Sequence, residues 1–187
     1  MIHPIKHFTL VHKHRMAVMH HCRMAGIPWQ GLVHDLSKFS PSEFIPGVKY
    51  YLGNKSPNVR EREIWGYSSA WLHHKGRNKH HFEYWVDYNI KKHREEAVRM
   101  PAKYLIEMFC DRVAACKIYQ GSAYNDTKPL EYYQNGHAAS TMHPETASVL
   151  ETWLNMLAEE GESATFAHIK GLHRKVYSTH SSKKRRD

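Results

Sequence analysis

Paired helix-stop and helix-start signals recur along this chain, and the Val, Ile and Thr alternation of half-buried strands is absent. Together they restrict the chain to an all-α fold. A first helix is expected from about Ile5 to Ala25, ended by Gly26, and Pro28 opens a short second helix to about Lys38. Ser40-Pro41-Ser42-Glu43 carries three agreeing start signals: a capping serine, a proline for the first helical position and a glutamate able to close a capping box. That helix should end near Gly53. Ser56-Pro57 opens another, expected to continue through Trp65 and Trp71 to about Lys75, where Gly76-Arg77-Asn78-Lys79 reads as a polar loop. Helices follow from about Pro101 to Gln120 (ended by Gly121), from Pro144 to Glu160 (closed by Gly161) and from Glu162 to about Tyr177.

The 187 residues suit one domain, expected over 1–180, with a core at about 5–120, C-terminal helices at about 128–178 and a basic flexible tail at 181–187. The formal charge of +9 favours anionic partners, although the tail Lys183-Lys184-Arg185-Arg186 inflates it. Cys22, Cys110 and Cys116 are odd in number and lack C-x-x-C spacing, so they read as small core residues of a reducing compartment. No apolar run has a membrane span's length and no secretory core opens the chain; a cytoplasmic protein without membrane contact is expected. Trp153, Leu154, Met156 and Leu157 make an apolar helix suited to internal packing or to a dimer.

Seventeen histidines favour a metal site, and one pair stands out: His34-Asp35, in Gly31-Leu32-Val33-His34-Asp35-Leu36-Ser37-Lys38. Lys38 lies one helical turn beyond His34 and is placed to face the same cleft. His14 falls on the apolar stripe of the first helix, with His21 and His12 as competitors, and taken alone such a residue is usually a hydrogen-bonded core histidine. Asp111 has Met108, Ala114, Ala115 and Ile118 on its face, where a carboxylate needs a counter-charge, hydrogen bonds or a metal. The cluster His73, His74, His80 and His81 is either polar filler beside Trp71, Tyr84 and Trp85, or a source of ligands for a second metal and of proton donors.

The order His14, His34-Asp35, Asp111 resembles the HD-domain superfamily of metal-dependent phosphohydrolases. The texture around Gln30–Pro41 and Ala70–His81 resembles an uncharacterised bacterial family of small HD-like proteins, which has no settled activity to lend. The resemblance implies His14, His34, Asp35 and Asp111 as ligands of a first divalent metal, with Asp35 commonly bridging to a second. His73 or His74, with His80 or His81, are similar to the extra histidines of two-metal branches. Lys38 matches the lysine of the H-D-x-x-K version. Gly66-Tyr67 precedes Ser68, so the G-Y-P motif of cyclic-dinucleotide phosphodiesterases is missing. Nothing marks a deoxynucleoside triphosphatase or an alarmone hydrolase, and residues beyond about Lys128 match no functional motif.

These readings give an expected function: hydrolysis of a small phosphoester, a nucleotide among the candidates, through water activated by one or two ions of Mn, Fe, Co, Zn or Mg. Asp35 and Lys38 would form the catalytic floor, His74 or His80 would protonate the leaving oxygen, and Arg77 and Lys79 would hold phosphate. A di-iron oxygenase on the same ligands is the first rival. A basic nucleic-acid-binding module, with structural histidines, ranks last because its cations are scattered.

Overall fold

A computed structural model describes residues 3–183, with side chains through His173. Its first helix, α1 (Pro4–Met24), has proline in its first turn and gives way at Gly26, whose φ of 84° suits glycine alone among residues that must turn the chain so sharply. Helix α2 (Pro28–Val33) follows and packs along α1. Gly31 permits that approach: a Cβ there would sit 2.8 Å from Met19 Cα. The second helix is shorter than expected. It stops at Val33, so His34 and Asp35 stand on a break, with a 3-10 turn (Leu36–Phe39) beyond.

Helix α3 (Pro41–Lys49) starts where the sequence signals place it, but Ser40 makes no side-chain cap and Glu43 closes no capping box. The single helix expected from Ser56 to Lys75 is two: α4 (Pro57–Trp65) ends at left-handed Gly66, and α5 (Ser69–Lys75) restarts under a Ser68 cap. Glu61 locks that corner by accepting from Ser68 Oγ (2.5 Å) and Ser69 Oγ (2.6 Å). An antiparallel hairpin of β1 (Val86–Asn89) and β2 (Arg94–Ala97), paired Val86 with Ala97 through Asn89 with Arg94, was not expected. Only four residues long per strand and largely exposed, it needs no apolar alternation. The fold is therefore mainly α with one small two-stranded sheet.

Helix α6 (Ala102–Gln120) runs from Pro101 to Gly121 as expected and is buried nearly all round, against α1, α2, α7 (Lys128–Asn135) and α8 (Pro144–Lys183). α8 kinks at Gly161 (φ 79°), the predicted boundary between its two halves. The tail expected at 181–187 begins inside α8, and residues 184–187 lie outside the described residues. One apolar core joins Val18 and Cys22 of α1, Phe109 and Val113 of α6, and Leu150, Trp153, Leu154, Leu157, Phe166 and Ile169 of α8. Trp153, Leu154 and Leu157 thus pack internally. His21 belongs to this core, its ring stacked 5.2 Å from Phe166, so it does not compete with His14. All three cysteines are free and buried, as core residues should be. Among the described residues no helix is long and apolar enough to cross a membrane.

Candidate metal centre

Three parts of the chain converge on Asp35: α1 brings His14, α6 brings Asp111, and the α5 end with the turn after it brings His74, His80 and His81. Arg15, the neighbour of His14, fixes the approach. Its Nε donates to His34 O (2.8 Å) and Nη2 to Leu32 O (3.0 Å), satisfying carbonyls at the open end of α2. The chain then passes through His34 (φ −53°, ψ 131°) into Asp35 in the left-handed region (φ 54°, ψ 26°). Asn78 ties the second loop to this one, donating through Nδ2 to Ser37 Oγ (2.8 Å) and to His74 O (2.8 Å).

The two oxygens of the buried Asp35 carboxylate face different donor sets. Oδ2 lies 3.5 Å from His34 Nε2 and 3.8 Å from His14 Nε2; Asp111 Oδ1 is 2.9 Å from His14 Nε2 and 3.7 Å from His34 Nε2. Oδ1 lies 3.3 Å from His74 Nε2 and 3.4 Å from His80 Nε2, and His81 Nε2 is 2.9 Å from His74 Nε2. Nitrogen and oxygen ligands at their usual bond lengths stand about 2.8–3.6 Å apart around one ion, from octahedral to tetrahedral angles. Most of these separations fall in that window, and the 3.7 and 3.8 Å pairs just outside it.

An ion-pair network without metal is the competing account, and three atoms weigh against it. His34 Nε2, Asp35 Oδ1 and His80 Nε2 are buried without a hydrogen-bond partner. Left so, each costs about 1–3 kcal/mol; as ligands they need no other partner. The opposite ring nitrogens of His34, His80 and His74 are accounted for. Glu107, buried on α6, accepts from His34 Nδ1 (2.9 Å) and His80 Nδ1 (3.2 Å), and Glu43 accepts from His74 Nδ1 (2.7 Å). Carboxylates on Nδ1 fix the tautomer that leaves the Nε2 lone pair pointing inward, the usual arrangement behind metal-bound histidines.

Charge follows geometry. Burial works to raise the Asp35 carboxyl, but His34, Lys38, His74 and His80 together hold it well below the usual carboxylate range. Burial likewise opposes ionisation of Asp111, which its bonds to His14 and His34 keep well below that range. Lys38 is raised despite burial, because Asp35 (3.2 Å from its Nζ), Tyr119 and Asp111 favour its charge.

Of the residues anticipated from sequence, His14, His34, Asp35, Asp111, His74, His80 and His81 meet here, with Lys38 beside them. His73 does not: its Nδ1 turns to Glu43 (2.7 Å), away from the cluster. His12 stacks on Phe8, outside it. Arg77 and Lys79 are also displaced. Arg77 is exposed and reaches back to His73 O, while Lys79 lies over the Tyr84 and Tyr104 rings, and neither lines the adjacent cleft. That cleft, ≈ 730 Å³, is lined instead by Lys38, Lys55, Arg62 and Arg112 with Trp71 and Tyr119. Sequence reasoning missed Glu43 and Glu107. Glu107 carried a usable signal, one turn before Asp111 on the same buried helix.

A family profile described as a family of unknown function (DUF5662) matches residues 3–156. The chain belongs to that family. No HD-domain profile match accompanies it, and no curated protein or solved structure matches the chain. Membership therefore adds no activity to what the donor geometry supports: a group of buried histidines and aspartates able to hold metal.

Proposed function

We propose that this protein is an HD-type metal-dependent phosphohydrolase acting on a small phosphoester, nucleotides among the candidates. The observation that carries the reading is the Asp35 carboxylate, whose two oxygens face two donor sets at the edge of a cleft that Lys38, Lys55, Arg62 and Arg112 also line. His14, His34, Asp35 and Asp111 would hold one divalent ion, and Asp35, His74, His80 and His81 a second. When bound, such ions supply Lewis acidity to phosphoryl oxygens and lower the pKa of water toward neutrality.

The chain's own groups do the rest. Glu107 and Glu43 hold Nδ1 of His34, His80 and His74, fixing one tautomer in each, so these ligands need little reorganisation. Lys38, kept protonated by Asp35, sets a fixed positive charge beside the position a phosphate would occupy. In this reading His74 and His80 are ligands, not proton donors: Nδ1 is committed to a carboxylate and Nε2 to the centre.

The test is metal content by plasma mass spectrometry on anaerobically purified protein, with phosphate release from a phosphoester panel, for wild type and Asp35→Ala. Near-stoichiometric metal and metal-dependent release, both lost in a folded variant, are expected. No metal after reconstitution, or full activity in Asp35→Ala, sinks the proposal. The imidazole-rich donor set favours a second reading, a di-iron oxygenase. Two irons per chain with iron-dependent oxygen consumption and no phosphate release would put it first.

A further inference from the structure

Three arginines on this surface pair with carboxylates: Arg60 with Glu63, Arg94 with Glu96 and Arg99 with Glu145. Two cleft arginines differ. Among the described residues, neither Arg62 on α4 nor Arg112 on α6 has an ion-pair partner within 4 Å, and Arg112 Nε is buried without a hydrogen-bond partner. Each is held by aromatic rings instead. Arg62 Cζ lies 5.6 Å over Trp71, and Arg112 Cζ lies 5.7 Å over Tyr132 and 5.6 Å over Tyr133. A guanidinium held by its face keeps its in-plane N–H fork free for an anion.

Their placement ties them to the candidate centre. The Trp71 ring under Arg62 is also 4.8 Å, edge-on, from the His81 ring, which puts the Arg62 guanidinium within about 10 Å of the second donor set. Arg112 follows Asp111 directly and lines the same cleft. Both arginines thus line the cleft that also reaches Asp35 and Asp111. Glu83 lines the cleft too; its Oε2 is buried without a hydrogen-bond partner, and both arginines act on it at longer range. Lys55, Arg62 and Arg112 outnumber it, so this wall stays cationic while offering one acceptor to a hydroxyl or amino group.

We propose that Arg62 and Arg112 form a second anion subsite, making the substrate a nucleotide-like phosphoester that carries a second phosphate. One phosphate sits at Asp35 and Lys38, the other between the arginines. The inference rests on the phosphohydrolase reading for the first phosphate only. A nucleoside bisphosphate and a nucleoside polyphosphate share the required chemistry and differ in phosphate spacing.

Calorimetric titration of the full chain with AMP, ADP and adenosine 3′,5′-bisphosphate tests it, in wild type, Arg62→Gln and Arg112→Lys. Arg62 is exposed, so its variant should fold even where Arg112→Lys does not. At least one two-phosphate probe should bind about tenfold or more tighter than AMP, from one added charge-assisted contact pair. The gain should fall below about threefold in Arg62→Gln. Whether ADP or the bisphosphate shows it identifies the spacing. Equal binding of all three to wild type, or a gain that survives both arginine variants, overturns the subsite. A gain that behaves as expected without any phosphate release supports the subsite and overturns only the hydrolytic reading.

Discussion

Glu107 is the residue whose removal best separates a metal centre from an ion-pair network. Its Oε1 accepts from His34 Nδ1 at 2.9 Å and His80 Nδ1 at 3.2 Å, so one carboxylate positions a histidine of each donor set. It is buried, and though burial opposes its charge, the two histidines hold it below the usual glutamate range. Glu107→Ala leaves two buried N–H groups without an acceptor. Breaking such a charged network costs about 3–5 kcal/mol in the metal-free protein. For a chain of this length that lowers the Tm by about 6–20 °C. Glu107→Gln keeps one acceptor but turns an amide N–H₂ toward the other donor, so about 1.5–3 kcal/mol is expected. Metal affinity, read by competition with a chromogenic chelator, should fall about 10–100-fold, with Ala beyond Gln, because both rings lose their orientation. Folded variants that bind metal within about twofold of wild type would refute the positioning role and, with it, the argument from fixed tautomers.

Replacing His73 by Ala should leave metal stoichiometry unchanged, since His73 faces Glu43, whereas His81→Ala should lose the ion on the Asp35 Oδ1 side; metal counting that shows equal losses refutes the sorting of these histidines. Burial against Phe166, aided by Lys117, lowers His21 to about 4, so the folded state excludes a proton the unfolded chain accepts near 6.5. That stability is complete above the unfolded value and fades as pH falls toward the folded one, by about 2 kcal/mol between pH ~7.5 and ~5. Urea unfolding of wild type and His21→Phe reads it, and an unchanged pH slope in the variant contradicts it. Gly31→Ala should destabilise by about 1–3 kcal/mol, because its Cβ meets Met19 Cα and Cys22 Cβ at 2.8 Å; an unchanged Tm would mean α1 and α2 are not in this contact.

Much of the fold was legible because its signals are local. Pro28 in a first turn, Gly26, Gly121 and Gly161 at ends, and the apolar run of α6 act within a few residues of where they are written. Gly66 and Ser68 were equally local, yet the aromatic run through Trp65 and Trp71 masked the break they make. Glu43 was misread for a different reason. Three residues after Ser40 it satisfies the capping-box pattern, but its carboxylate bonds to His73 and His74, thirty residues away in sequence. A local pattern states what a side chain is able to do nearby, and a distant pair of imidazoles is a better partner than one backbone N–H. Arg77 and Lys79 were placed with substrate because they flank histidines, yet the turn that carries His80 inward carries them out.

The same distinction explains why His34-Asp35 is informative even though its helix was drawn too long. Neighbours on a regular α-helix point about 100° apart, so a continuous helix would aim one of the pair away from the centre. The chain avoids this by ending α2 at Val33 and setting Asp35 at φ 54°, a conformation that costs a non-glycine residue about 1–2 kcal/mol. The result is an imidazole and a carboxylate 3.5 Å apart, with the second carboxylate oxygen free to face His74 and His80. Arg15 holds the break open from α1, beside His14, so one helix both supplies a donor and shapes the backbone of two others. Local strain, buried atoms without hydrogen bonds and histidines fixed by carboxylates all point at the same few ångströms. That combination suits a cluster able to hold cations better than one that only pairs charges.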